Sequence, residues 1–366
     1  MSKVRMAIVG TGGMGSGHAK MVQNIEEVQL VAAADSRLEA AQKVGTAYSI
    51  PAYGDYREMF AKEKLDFILI ATPHPAHMKV AVDAFKAGLH VLSEKPLASN
   101  LIEADKMLQA AEKHGKLLGT MFQMRTEPAK RRMHEIVSSG MLGDVCRVNM
   151  IASNYRTQAY YNSGTWRGTW AGEGGGVLIN QAPHDLDQFI WIGGRPTSVF
   201  GAVETRLHDI EVEDSATAMV TYANGGRGYF HTSTVEHPNT WRIEVCGDKG
   251  KVIFENNQIK LYLLETPISV FTKTTAVAWS FPPFKEEPVE IEQCPSGHAE
   301  VTRDFAHAIM ENRPPIAPGS EGILSLELAN AMIYSSHVGK PVSLPLNRRA
   351  YDRFFKEKCK GSKYRE

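Results

Sequence analysis

Six residues restrict this chain more than any other feature: Gly10-Thr11-Gly12-Gly13-Met14-Gly15. They fit the pattern G-x-G-x-x-G, which alone is a weak signal. Here the pattern follows an apolar run, Val4–Val9, and opens a helical stretch from His18 to Ile25. Strand, glycine turn and helix in that order form the first unit of a dinucleotide-binding fold. Gly10 permits the tight turn, Gly12 lets backbone approach a pyrophosphate, and Gly15 allows helix and strand to pack closely. The helix N-terminus offers unpaired N–H groups and a positive dipole end to the phosphates. Gly13 and Met14 lie on the same candidate cofactor surface.

The next apolar runs are Val28–Ala34, Phe67–Ala71, His90–Leu92 and Leu117–Met121. Helical patterns separate them, such as Met78, Val82 and Phe85 before Gly88. Short strands alternating with helices predict a parallel sheet, so residues 1–124 read as a Rossmann domain. Asp35 ends the second run, twenty positions after Gly15. A carboxylate there accepts hydrogen bonds from ribose hydroxyls and repels a 2′-phosphate, which favours NAD. Arg37, just past Ser36, suits a 2′-phosphate, so NADP stays open. Thr72-Pro73-His74 follows the strand Phe67–Ala71, at a strand end that faces the ligand crevice. His74 and His77 are spaced as H-x-x-H, but no further ligand is signalled nearby. They are expected beside the dinucleotide, and no metal site is expected.

The pattern changes after about residue 145. Val145–Ala152, Ser198–Glu204, Ala216–Tyr222, Gly228–Val235, Trp241–Val245, Lys251–Phe254 and Gln258–Leu263 read as strands. Turns at Asn224–Gly226 and Gly247–Gly250 separate some of them. Residues 125–345 are therefore expected to form an α+β domain with an open, mostly antiparallel sheet. A free sheet face suits a partner subunit. Two helical patterns follow, His298–Glu311 and Glu321–Val338. Residues 346–366 mix both charge signs and read as a solvated C-terminal tail.

Two domains suit 366 residues. The formal net charge is zero, which argues against nucleic acid or an anionic membrane as partner. The four cysteines are scattered and form no C-x-x-C pair, as expected of free thiols in a reducing compartment. No signal-peptide pattern opens the chain, and no apolar run approaches the ~18 residues of a membrane span. A cytoplasmic protein is the expectation.

Ser93-Glu94-Lys95-Pro96-Leu97 follows the strand that ends at Leu92. Here the chain resembles the Gfo/Idh/MocA family, the glucose–fructose oxidoreductases, inositol dehydrogenases and their relatives. The resemblance takes in the glycine loop, Ala71-Thr72-Pro73 with His77, Ala87-Gly88, His90-Val91 and Glu94-Lys95-Pro96. It continues through Gln123, Arg125, Gly140 and Leu142-Gly143 to the run Gly174–Leu178, with His184 and Asp187 beyond. Glu213-Asp214-Ser215-Ala216 and Tyr222-Ala223-Asn224-Gly225 match as well. The resemblance implies that Glu94, Lys95 and Gln123 lie at the cofactor. It also implies that Lys95 reaches both nicotinamide and reacting carbinol, and that His184 is the base taking the hydroxyl proton. An ammonium can stabilise a developing alkoxide, and an imidazole can take a proton near neutrality. Family members with an open sheet face form dimers or tetramers, which implies a homodimer or homotetramer.

Two positions depart from the family pattern. Asn180 stands where the family has aspartate, four residues before the histidine, and Ala182 replaces a glycine. On one helix, Asn180 would share a face with His184 and reach substrate or imidazole. An amide cannot stabilise an imidazolium by charge, so Asn180 is a catalytic or substrate-binding candidate of altered character. The stretch before it holds Tyr155, Arg156, Tyr160, Tyr161, Trp166, Arg167 and Trp170. Aromatic faces with guanidinium neighbours suit sugar rings and their hydroxyls. Tyr155, Trp166 and Arg167 are the candidates taken from it, and Arg125 is expected to reach the same cleft.

The expected function is NAD(P)-dependent hydride transfer to or from a secondary alcohol of a sugar, glycoside or cyclitol. The alternative is glycoside cleavage by transient oxidation and elimination with a recycled NAD. An NAD-binding sensor without turnover is the third reading.

Overall fold

The computed structural model describes residues 3–364. The first sheet holds β1 (Val4–Val9), β2 (Val28–Ala34), β3 (Ala52–Tyr53), β4 (Phe67–Ile70), β5 (His90–Ser93) and β6 (Leu118–Thr120). All pairs are parallel, in the order β3-β2-β1-β4-β5-β6. Helices α1 (Gly13–Val22), α2 (Leu38–Tyr48), α3 (Tyr56–Lys62), α4 (His74–Lys86) and α5 (Leu101–Lys113) connect the strands. Both faces of this sheet are covered, so β4 reads Phe-Ile-Leu-Ile and is buried at every residue. The strand order reverses at β1 and β4, and their C-terminal ends open the ligand crevice.

The second sheet holds β7 (Val145–Ser153), β8 (Ser198–Glu204), β9 (Ser215–Thr221), β10 (Arg227–Ser233), β11 (Trp241–Gly247), β12 (Gly250–Glu255), β13 (Gln258–Leu264), β14 (Phe284–Glu287) and β15 (Val342–Ser343). Its order is β14-β13-β12-β11-β7-β10-β9-β8-β15, and only β7 with β10 is parallel. The remaining helices are α6 (Pro128–Ser138), α7 (Gln158–Tyr161), α8 (Trp170–Glu173), α9 (Val177–Asn180), α10 (Pro183–Gly193), α11 (Ile268–Thr274), α12 (His298–Glu311), α13 (Gly319–Val338) and α14 (Arg348–Lys360). α6, α10 and α13 pack against this sheet. Its other face exposes Phe200, Met219 and Tyr229, which lie side by side in register. The architecture is the expected Rossmann domain with an open, mostly antiparallel sheet.

Two boundaries differ from expectation. α12 does not join the second domain. Its Val301, Phe305 and Ala306 share a core with Val4, Met6 and Ile8 of the Rossmann sheet. The Phe305 ring sits 5.4 Å from that of Phe67, and Gly119 leaves it room: a Cβ there would come within 2.8 Å. Helical spacing shows that residues 298–311 have an apolar face, not which sheet that face meets. The C-terminal segment is no solvated tail over residues 348–360, either. α14 buries Tyr351 and Phe354, and Arg348 pairs with Asp105 on α5 at 2.9 Å and with Glu327 on α13. Its charges line the outer face of an amphipathic helix. Residues 365 and 366 lie outside the described residues. No helix among the described residues is long and apolar enough to cross a membrane.

Candidate active site

α1 begins directly after Gly12, and no side chain caps its N-terminus. Gly10 has φ +91°, and a Cβ there would meet the Ala71 and Thr72 backbone at 2.7 Å. At Gly15 a Cβ would lie 1.9 Å from the Gly10 carbonyl oxygen. At Gly12 and Gly13 it would meet nothing. The loop is thus tight beneath and open above, and its free N–H groups fit a pyrophosphate. Met14 is exposed at its rim. Asp35 Oδ2 accepts from the Thr11 N–H at 2.8 Å, and Oδ1 from the Arg37 N–H at 2.9 Å. This anchors the carboxylate at the end of β2, where a ribose fits. Ser36 and the Arg37 guanidinium face solvent beside it.

The loop after β5 is tied to α1. His18 Nε2 lies 2.6 Å from Glu94 Oε1, and both residues are buried. Burial pushes the Glu94 carboxyl up, but His18, Lys95 and His298 outweigh it and hold Glu94 low. The His298 ring, on α12, stands 5.4 Å from that of His18. Sequence reasoning missed His18 and His298 as site residues. His18 is a helix residue like any other until Glu94, 76 positions away, is brought to it.

Lys95 Nζ donates to the Asn180 carbonyl at 2.7 Å. Burial lowers the Lys95 pKa, while Glu94, Glu173 and Asp185 work against that. Below it, the His77 ring lies between the carbonyls of Thr72 and Pro96, at 2.9 and 3.0 Å. His74 Nδ1 donates to the Glu173 carbonyl at 3.0 Å. Burial depresses both histidines, His74 to about 3. These rings brace the loops after β4 and β5 against one another. Pro73 precedes α4, and Pro at a helix start needs no N–H partner. No cluster of three or more metal-ligating side chains occurs among the described residues.

His184 opens α10, and its Nε2 accepts from the Gln123 amide at 3.2 Å. Its Nδ1 is buried and has no partner in the protein. Burial, then Lys95, His298 and Lys130, hold its pKa well below the ordinary value, so the ring is neutral. Asn180 ends α9, and Gln181 and Ala182 break the helix before α10. The shared helix face expected for Asn180 and His184 therefore does not exist. The Asn180 amide donates instead to the Tyr160 hydroxyl at 3.1 Å and to Glu173.

Of the aromatic stretch, Trp166 and Arg167 adjoin this group. Arg167 donates to the Tyr160 hydroxyl at 2.6 Å, and its guanidinium lies over the Trp166 ring. The Trp166 ring meets His74 edge-on. Tyr160, not singled out from the sequence, is the hub, since Gln181 also donates to it at 3.0 Å. Tyr155 stands apart, half exposed, beside His237 and Asn239. Arg125 does not reach the cleft. It is 3% exposed, and its guanidinium is taken up by Asp187 (2.6 Å), Glu321 and the Ile316 carbonyl. It joins the Rossmann end to α10 and α13, a role that a single basic residue does not announce in a sequence.

The model described as the oxidoreductase family with NAD-binding Rossmann fold matches residues 4–122, and that of the GFO/IDH/MocA C-terminal domain matches residues 131–253. Trans-1,2-dihydrobenzene-1,2-diol dehydrogenase of Bos taurus is 31% identical over 258 residues, 68% of this chain and 72% of that protein. The chain belongs to the Gfo/Idh/MocA family. It is similar also to D-glucoside 3-dehydrogenase of Escherichia coli, 27% identical over 94% of this chain and 98% of that protein. Among solved structures, the WlbA dehydrogenase of Bordetella pertussis, in complex with NADH and UDP-GlcNAcA, superposes with a TM-score of 0.82. It is 26% identical and covers 94% of this chain and 100% of its own. This Gfo/Idh/MocA protein is an NAD-binding oxidoreductase.

Proposed function

We propose that the enzyme transfers hydride between bound nicotinamide and a secondary alcohol of a sugar, glycoside or cyclitol. The observation that carries this reading is that Lys95 Nζ, from the loop after β5, reaches the Asn180 carbonyl, four residues before His184, whose ring is neutral. NAD supplies an acceptor for the carbinol hydride. Lys95 donates to the carbinol oxygen and steadies charge that builds on it. His184, held neutral by burial, takes the hydroxyl proton on its unprotonated ring nitrogen as the C–H electron pair leaves. Oxidation thus yields a carbonyl, with one proton on His184. Trp166, Arg167 and Tyr160 supply an aromatic and cationic wall for a polyhydroxylated substrate. The names of the similar D-glucoside dehydrogenase and the sugar-nucleotide complex of the WlbA dehydrogenase support that substrate class. We also assign the open sheet face to a homodimer or homotetramer contact.

The test is NADH formation over a panel of sugars, glycosides and inositols, with products identified. Lys95→Ala is expected to lose on the order of a hundred-fold or more in turnover. NAD binding, measured by calorimetry, is expected to stay within a few-fold of wild type. Turnover that persists in Lys95→Ala overturns the assignment. Aglycone released without net NADH replaces the dehydrogenase with the glycoside-cleaving enzyme.

A further inference from the structure

We propose that Glu173 is a positioning residue: it turns the Asn180 amide so that Asn180 Oδ1 accepts a substrate hydroxyl beside Lys95. The inference rests on the assignment of Lys95 and His184 as the reacting groups.

Glu173 ends α8 and is fully buried. A carboxyl is costly to bury unless its oxygens are engaged. Oε2 accepts from the Gly168 N–H at 2.6 Å, and Oε1 accepts from the Asn180 amide. An ionised carboxylate only accepts, so the NH2 end of Asn180 has to face it. The Tyr160 hydroxyl takes the second amide hydrogen. Oδ1 is left on the opposite side. No described residue donates to it, and it is not sealed from solvent. The backbone carbonyl of the same residue receives Lys95 Nζ. Asn180 therefore holds the lysine with one oxygen and shows an open neutral acceptor with the other.

The arrangement accounts for the departure at position 180. With aspartate there, two carboxylates would touch inside the protein and repel. With Glu173 and Asn180, one negative charge remains near Lys95, one residue removed, and a neutral acceptor meets the substrate. Protonated Glu173 gains a donor and no longer dictates the amide's direction. Burial raises its pKa to about 7, against the Gly168 N–H, Asn180, Arg167 and Lys95. The groups that face it are Arg167 and Lys95, with Tyr160 and Tyr161 on α7, Glu213 before β9, and His74 on α4. Of these, His74 stays neutral. kcat/KM is therefore expected to fall as pH drops through about 7.

Glu173→Gln, Asn180→Asp, the double swap Glu173→Gln/Asn180→Asp, and Lys95→Ala are compared with the fastest substrate of the panel. Glu173→Gln is expected to lose at least ten-fold in kcat/KM and to lose the limb near pH 7, with NAD affinity within two-fold of wild type. The double swap restores a carboxylate within the same group and is expected to recover at least half of that loss on a logarithmic scale. Asn180→Asp alone sets two carboxylates to share one proton, so its acidic limb moves up by a unit or more. Should Glu173→Gln fail to fold, that displacement decides the matter. Wild-type kcat/KM and pH profile in folded Glu173→Gln, or an unmoved limb in Asn180→Asp, overturns the inference. If Lys95→Ala is dead while Glu173→Gln is unaffected, the inference alone falls. Turnover in Lys95→Ala takes down both.

Discussion

Asp35 is the side chain proposed to set the coenzyme preference. Two backbone N–H groups hold its oxygens in place, and in the proposed site its charge would repel a 2′-phosphate. Asp35→Ser removes that repulsion while Arg37 remains. The ratio of kcat/KM for NADP over NAD is expected to rise by about ten-fold or more, near 1.4 kcal/mol. No change in the ratio, from initial rates with both coenzymes, would remove Asp35 as the discriminator. Asp35, Lys95 and His184 were legible as candidates because each sits at a fixed offset from a strand or a motif. Glu173 was not. Its neighbours Gly172 and Gly174 look like a loop, and a sequence does not reveal that a glutamate is sealed from water. The same holds for Arg125, whose partners Asp187 and Glu321 lie far along the chain.

Among the elements, strands with an apolar run were read correctly, and two-residue strands were not. β1, β2 and β8 have the bounds that their apolar runs predict. The two-residue strands β3 and β15 show no periodicity to read. The break between α9 and α10 was missed although Pro183, the first residue of α10, signals it, since a proline inside a helical pattern ends the helix before it. α14 was misread because charge outweighed its two buried aromatics in a simple count. Phe354 packs with Tyr334, Tyr351 and the Trp170 ring of α8. Phe354→Ala is expected to cost about 3 kcal/mol, read as a lower urea midpoint with unchanged slope. A midpoint equal to wild type would show that α14 adds nothing to the fold.

At the scale of the whole molecule, buried carboxyls link stability to pH. Burial raises Glu213 to about 7 and Asp185 to about 6. A carboxyl with a raised folded pKa binds its proton more tightly in the native state. Its contribution is complete below the unfolded value and is lost as pH rises through the folded one. The part of the stability that these two carboxyls supply is thus expected to decline between about pH 4 and pH 7, opposed below about pH 6.5 by the buried His74, His77 and His184, whose pKa values burial lowers. Glu213 accepts from the N–H groups of Gly176 and Leu178, which an amide oxygen can also do. Glu213→Gln is expected to flatten the decline by about 1–3 kcal/mol in thermal or urea unfolding. An equal slope in the variant would refute this. The open sheet face gives a second expectation. Met219→Glu, between Phe200 and Tyr229, is expected to lower the mass measured by light scattering, because a buried charge opposes apolar association. A monomeric wild type would refute that. The sequence by itself determined the Rossmann unit and the open sheet, because strand periodicity and glycine geometry are local constraints, and the family resemblance supplied the Lys95 and His184 candidates. Only the tertiary structure decided that α12 completes the first domain, that α14 docks, and that Glu173 stands on Asn180. Those depend on contacts between distant residues and on burial, which no local pattern carries.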